Sequence, residues 1–173
     1  YEMIPGLVGS EMCIRDSIGA SARAMKNMGI YNLALVKPED FPNDQAIYRS
    51  KAAKDIVQNA KVYNSVKEAV EDCELVLGTS ARDRTIPWPT LKPKEAAQEV
   101  SANLGNEKIA VVFGREDRGL TNEELGLCNL HINIPSDPEY SSLNLSQAVQ
   151  IIAYEIRMAC LLYTSDAADE GWC

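Results

Sequence analysis

A single histidine in 173 residues leaves no material for a His-rich metal site. Five cysteines, an odd number without paired short spacing, fit neither a disulfide framework nor a zinc site, so no metal is expected. No apolar run approaches the roughly 20 residues that cross a bilayer, which excludes a spanning protein. No basic segment followed by an apolar stretch opens the chain, so secretion is unsupported and a cytoplasmic place is expected. Internal repeats and low-complexity linkers are missing as well. Positive charge is short: 17 basic against 25 acidic residues give a net −8, the wrong sum for a nucleic-acid binder. What is there, 46% hydrophobic and 24% charged, is ordinary globular material. A chain of this size forms one domain and buries roughly 70% of its unfolded surface.

The two ends differ from the middle. Residues 1–17 and 160–173 lack periodicity and turn logic continuous with the interior. Glu11-Met-Cys-Ile-Arg-Asp-Ser17 and Cys160-Leu-Leu-Tyr-Thr-Ser-Asp-Ala-Ala-Asp-Glu170 resemble translated sequencing adaptor. The expectation is one native domain over 18–159 with non-native ends. The ends carry six acidic residues against Arg15 alone, so 18–159 has a net charge of only −3. Cys73 and Cys128 remain in the interior and read as buried thiols of a reducing compartment.

Along that interior, Ile18, Ala22, Met25 and Met28 recur at helical spacing before Gly29, predicting a helix over 18–28. Short apolar runs at 33–36, 75–77, 108–113 and 130–134 predict buried strands, with a weaker one at 62–63. Helices are predicted over 46–60 in two pieces, from Ser65 to about Glu71, and between Pro93 and Gly105. Thr121 and Glu124 repeat a capping-box pattern. Leu145, Ala148, Val149, Ile152 and Ile156 form the apolar stripe of a closing helix to about Ala159. Strands alternating with helices imply an α/β fold, a mostly parallel sheet with helices on both faces. Ligands of such sheets bind beyond the carboxyl ends of the strands.

Three loops there hold chemistry. Gly78-Thr-Ser-Ala-Arg-Asp-Arg84 combines room for close approach, small hydroxyls and two guanidinium groups suited to phosphate. Gly114-Arg-Glu-Asp-Arg-Gly-Leu120 follows the strongest strand but is neither a dinucleotide fingerprint nor a P-loop. Ile134-Pro-Ser-Asp-Pro-Glu-Tyr-Ser-Ser-Leu-Asn-Leu145 is a proline-fixed loop in which Asn144 is either a helix cap, a catalytic group, or both. Arg23 lies on the first helix, and His131, on a strand, reads as structural.

Together these elements resemble the SPOUT superfamily of RNA methyltransferases, in its SpoU/TrmH branch. Ile18-Gly-Ala-Ser-Ala-Arg23, the stretch from Val112 to Leu125, and that from Ile134 to Ser146 look like its three motifs in order. The Gly-Thr-Ser-Ala-Arg run with Trp88-Pro89, and Glu139-Tyr-Ser-Ser-Leu-Asn-Leu145, are similar to the TrmJ type within that branch. The resemblance implies a C-terminal trefoil knot, a homodimer, and S-adenosylmethionine-dependent methylation of the ribose 2′-hydroxyl at nucleotide 32 of the tRNA anticodon loop. Carried over, the cofactor contacts are Thr79, Ser80, Ala81, Gly114, Ile134, Ser141, Ser142 and Leu143. Arg23, Ser142 and Asn144 would be catalytic, with Arg23 a candidate for supply across the dimer, and Arg82, Arg84, Arg115 and Arg118 would contact RNA. Ser17 stands where the family has Asn, no first strand is evident before it, and the family type's C-terminal extension is absent, so this chain is expected to be impaired. A member of the branch acting on another RNA site, a non-catalytic RNA-binding or dimerisation module, and a plain nucleotide-binding domain remain alternatives.

Overall fold

Strand Ile109-Ala-Val-Val-Phe113 shows how the fold is built: every residue in it is buried, and successive side chains enter opposite cores. Ile109, Val111 and Phe113 face one cluster, and Ala110 and Val112 the other. An all-apolar strand can only be central in a sheet covered on both faces. The computed structural model describes residues 6–10, 17–38, 41–42, 44–81, 89–105 and 107–169.

Seven parallel strands are described: β1 Gly6–Ser10, β2 Leu33–Val36, β3 Lys61–Tyr63, β4 Leu75–Thr79, β5 Thr90–Leu91, β6 Ile109–Phe113 and β7 Leu130–Ile132. Their order in the sheet is β3-β2-β1-β6-β4-β7-β5. The helices are α1 Ser17–Asn27, α2 Asp44–Ser50, α3 Lys54–Gln58, α4 Val66–Val70, α5 Pro93–Asn103, α6 Asn122–Leu125 and α7 Leu145–Asp169; a 3-10 turn, Lys51–Ala53, joins α2 to α3. The larger core, under α1, α2, α3, α5 and α7, holds Ile18, Met25, Leu35, Leu77, Val111 and Ile152. The smaller, under α4 and α6, holds Val8, Val66, Val112, Leu120 and Leu125. Full burial of a side chain such as Leu77 stabilises by about 1.5–3 kcal/mol.

The predicted caps form. Ser65 Oγ accepts the Glu68 amide at 3.1 Å, Thr121 Oγ1 accepts the Glu124 amide at 3.1 Å, and Glu124 returns a bond to the Thr121 amide at 2.8 Å. Three expectations are corrected. A first strand does precede α1: Leu7 and Val8, each 2% exposed, enter the two opposite cores, and β1 pairs with β2 on one side and β6 on the other. Two large apolar residues between glycines show too little pattern to read, yet a strand flanked on both sides needs no more. The edge strand β5, two residues long, was also unpredicted. Finally, α7 continues past Ala159 to Asp169, because 160–169 contains no Gly or Pro to stop it. The α7 stripe of Leu145, Val149, Ile152, Ala153 and Ile156 packs into the larger core. It also contributes to the mean hydropathy of 1.2 over Leu145–Leu162, which by length and composition alone would pass for a membrane span.

Candidate active site

Beyond the carboxyl ends of β4, β6 and β7 lies a cleft of about 260 Å³. Its walls come from all three loops singled out in the sequence, and Thr79, Ser80, Ala81, Gly114, Ile134, Ser141, Ser142 and Leu143 all line it. The loops are stitched to one another. Thr79 Oγ1 donates to the Val112 carbonyl at 3.1 Å, the Ser80 amide to Ile132 O at 2.9 Å, and Asn133 Nδ2 to Ser80 O at 3.1 Å. Ser136 Oγ donates to Ser141 O at 3.3 Å, tying the third loop to itself.

The loop after β6 turns very tightly. The Gly119 amide donates to Arg115 O at 2.8 Å, and a Cβ on Gly114 would stand 2.2 Å from Gly119 C and Leu120 N. Gly119 itself has φ +69°, in the left-handed region that favours glycine. The loop's charges are ordered too. Asp117 accepts from Arg115 Nε at 3.1 Å and from Arg118 Nε at 3.2 Å, and both arginines line the cleft. Desolvation works to raise the Asp117 carboxyl, but the hydrogen bond and charge of Arg115, with Arg118 behind it, outweigh this and hold it below the usual value. Glu116, also on the cleft wall, accepts the hydroxyl of Ser17 from the buried first turn of α1. Neither acid was singled out in the sequence; the signal available was the alternation Arg115-Glu-Asp-Arg118.

Asn144 caps α7: its Oδ1 accepts from the Ser146 amide at 3.0 Å and from Ser146 Oγ at 2.7 Å. It flanks Leu143 and Leu145 of the cleft without lining the cleft itself. Arg23 stands exposed on α1 and is not among the lining residues either. Thus one chain brings Ser142 to the cleft, places Asn144 at its margin and leaves Arg23 outside. Arg82, Arg84 and Trp88 lie outside the described residues. His131 is 7% exposed with Nε2 3.3 Å from Leu125 O, a core position. Burial, and secondarily the nearby charge of Glu124, push the Cys128 thiol up to about 12, whereas Cys73 is only half-buried, against the buried position expected of it. Among the described residues no His, Cys, Asp and Glu group could hold a metal ion. A second hollow, about 890 Å³, opens at the amino ends of β1, β2, β3 and β6, and none of the predicted site residues lines it.

The sequence profile of the SpoU rRNA Methylase family matches residues 7–154. The chain belongs to the SpoU methylase family. As a SpoU methylase it is 55% identical over 146 residues to the tRNA (cytidine/uridine/adenosine-2'-O-)-methyltransferase TrmJ of Pseudomonas aeruginosa, covering 84% of this chain and 57% of that one. It is 51% identical over 155 residues to the tRNA (cytidine/uridine-2'-O-)-methyltransferase TrmJ of Salmonella typhimurium, covering 88% and 64%. The crystal structure of TrmJ from Z. mobilis superposes with a TM-score of 0.85 at 36% identity, over 90% of this chain and 70% of that one. The chain therefore spans about three-fifths of the length of the first two relatives. The family match begins at Leu7, within β1, which agrees with that strand being part of the domain.

Proposed function

We propose that this SpoU methylase is an S-adenosylmethionine-dependent tRNA 2′-O-methyltransferase of the TrmJ type, acting in the cytoplasm on the ribose of cytidine or uridine at nucleotide 32 of the anticodon loop. The observation that carries the reading is the convergence of eight residues, drawn from three separated loops, on one cleft at the carboxyl edge of the sheet. The relatives named as tRNA 2′-O-methyltransferases support the substrate class.

The lining suits the cofactor. Ile132, Ile134, Leu143 and Leu145 offer apolar walls to a flat base, while Thr79, Ser80, Ser141 and Ser142 offer hydroxyl and backbone partners to a ribose and an amino-acid moiety. When bound, S-adenosylmethionine supplies an electrophilic methyl group. The chain's task is then orientation, which can contribute roughly 7–11 kcal/mol to such a transfer. Ser142, on the cleft wall, would hold the acceptor hydroxyl, and Asn144 fixes the start of α7 two residues on. Arg23, whose guanidinium stays charged, is a poor base; it grips the phosphate next to the target ribose and stabilises the developing alkoxide. Its exposed place outside its own chain's cleft favours delivery to a second copy's cleft in a homodimer. The strand order, in which the chain enters between β1 and β4 as β6 and then between β4 and β5 as β7, supports the trefoil knot of the superfamily. Arg115 and Arg118 are the described candidates for backbone phosphate contacts.

The test is transfer of labelled methyl from S-adenosylmethionine to unmodified tRNA, with the labelled nucleotide mapped. Label on the ribose of nucleotide 32 is expected. Label on a base, or at another ribose, would replace the assignment; an absence of transfer together with an absence of cofactor binding would remove it.

A further inference from the structure

We propose that Tyr140 is the platform on which the target base stacks while its ribose is presented to the cleft, a role that rests on the RNA reading above. Tyr140 is 80% exposed, and its backbone is tied into a turn. Pro135 and Pro138 limit the loop's torsions. The Tyr140 amide donates to Asp137 O at 3.1 Å, closing a turn, and Asp137 Oδ1 accepts the Glu139 amide at 2.8 Å inside it. The two residues that follow, Ser141 and Ser142, line the cleft. A hydrogen-bonded turn therefore leaves an aromatic ring in water one residue before the cleft-lining Ser141. Tyr48 is equally exposed, but on α2, away from the cleft lining.

Arg118, with its side chain 77% exposed, lines the same cleft from the loop after β6. A nucleotide entering there meets a cation for its phosphate and a ring for its base. Stacking on an aromatic face tolerates any base, which suits a site open to cytidine and uridine alike. Bases so held are also those splayed out of a single-stranded loop.

The experiment compares the wild-type chain with Tyr140→Ala, Tyr140→Leu and Tyr140→Phe. Three readouts are taken: binding of a fluorescent, unmodified anticodon stem-loop RNA, steady-state methyl transfer to unmodified tRNA, and S-adenosylmethionine binding by calorimetry. Loss of the ring is expected to weaken RNA binding and raise KM for tRNA about tenfold, with kcat within about threefold and cofactor affinity unchanged. Tyr140→Phe should match the wild type, since the ring and not the hydroxyl makes the contact. Wild-type RNA binding by Tyr140→Ala overturns the role, as does a Phe variant as weak as Ala or a cofactor affinity that falls in step with RNA affinity. A wild-type chain that neither binds the stem-loop nor methylates tRNA sinks the functional reading itself, and Tyr140's role with it; that result is seen before any variant is compared.

Discussion

Gly114 and Ser21 show how differently single residues bear on this domain. At Gly114 the backbone of Gly119 and Leu120 occupies the space a side chain would need. Gly114→Ala is expected to destabilise by about 1–3 kcal/mol, as overpacking against backbone does. It should also abolish S-adenosylmethionine binding, because the loop between β6 and α6 forms one wall of the cleft; calorimetry and a urea titration check both. Ser21, on α1, is 2% exposed and its hydroxyl finds no hydrogen-bond partner among the described residues. A buried hydroxyl left unpaired costs about 1–3 kcal/mol. Ser21→Ala should therefore raise the urea midpoint without altering its slope.

Elements are held where the site needs them by caps and clips. Asn144 has the hydrogen bonds of an N-cap, and the proposed function gives it a catalytic role as well. Aspartate caps as well as asparagine. Asn144→Asp is therefore expected to keep thermal stability while lowering kcat more than tenfold, if the amide acts in the reaction as orienting groups do; a variant that loses neither leaves Asn144 as a cap alone. On the larger-core face, Lys26 of α1 donates to Asp55 of α3 at 2.7 Å. That hydrogen bond, and then the charge of Lys26, outweigh desolvation and hold the Asp55 carboxyl below its ordinary 3.8. A carboxylate whose folded value is lowered adds stability above its unfolded value, and the contribution is lost as pH falls through the folded one. The Asp55 side-chain signal should thus titrate below its ordinary value in an NMR pH series, and Lys26→Met should move it back toward that value.

For the whole molecule, net charge and site location pull in opposite directions. A chain at −8 repels RNA overall, so under the proposed function affinity would come from local arginines and from pairing of copies. If Arg23 serves a second copy's cleft, two inactive variants complement each other. Mixing Arg23→Lys with Ser142→Trp, which blocks the cleft, should restore roughly a quarter of wild-type turnover, because half the dimers are mixed and each of these has one intact site. Two variants that stay inactive when mixed, while sedimentation shows mixed dimers, would place Arg23 in its own chain's site.

Much of this was legible in one sequence. Strands at 33–36 and 109–113, the Ser65 and Thr121 caps and the α7 stripe follow from local rules of burial period and capping, which need only neighbouring residues. The set of residues that line the cleft was also legible, because three motifs in order resembled one family. Strand β1 was not, since Leu7 and Val8 acquire meaning only when β2 and β6 flank them. The meeting of Ser17 with Glu116 was equally hidden, 99 residues apart along the chain. What the sequence determined by itself was the kinds of elements and the chemistry of the loops, because propensity, periodicity and side-chain type are local properties. Only the tertiary structure decided which loops share a cleft, that Arg23 stands outside it, and that Tyr140 is left exposed beside the cleft-lining Ser141, because strand order and long-range pairing settle those placements.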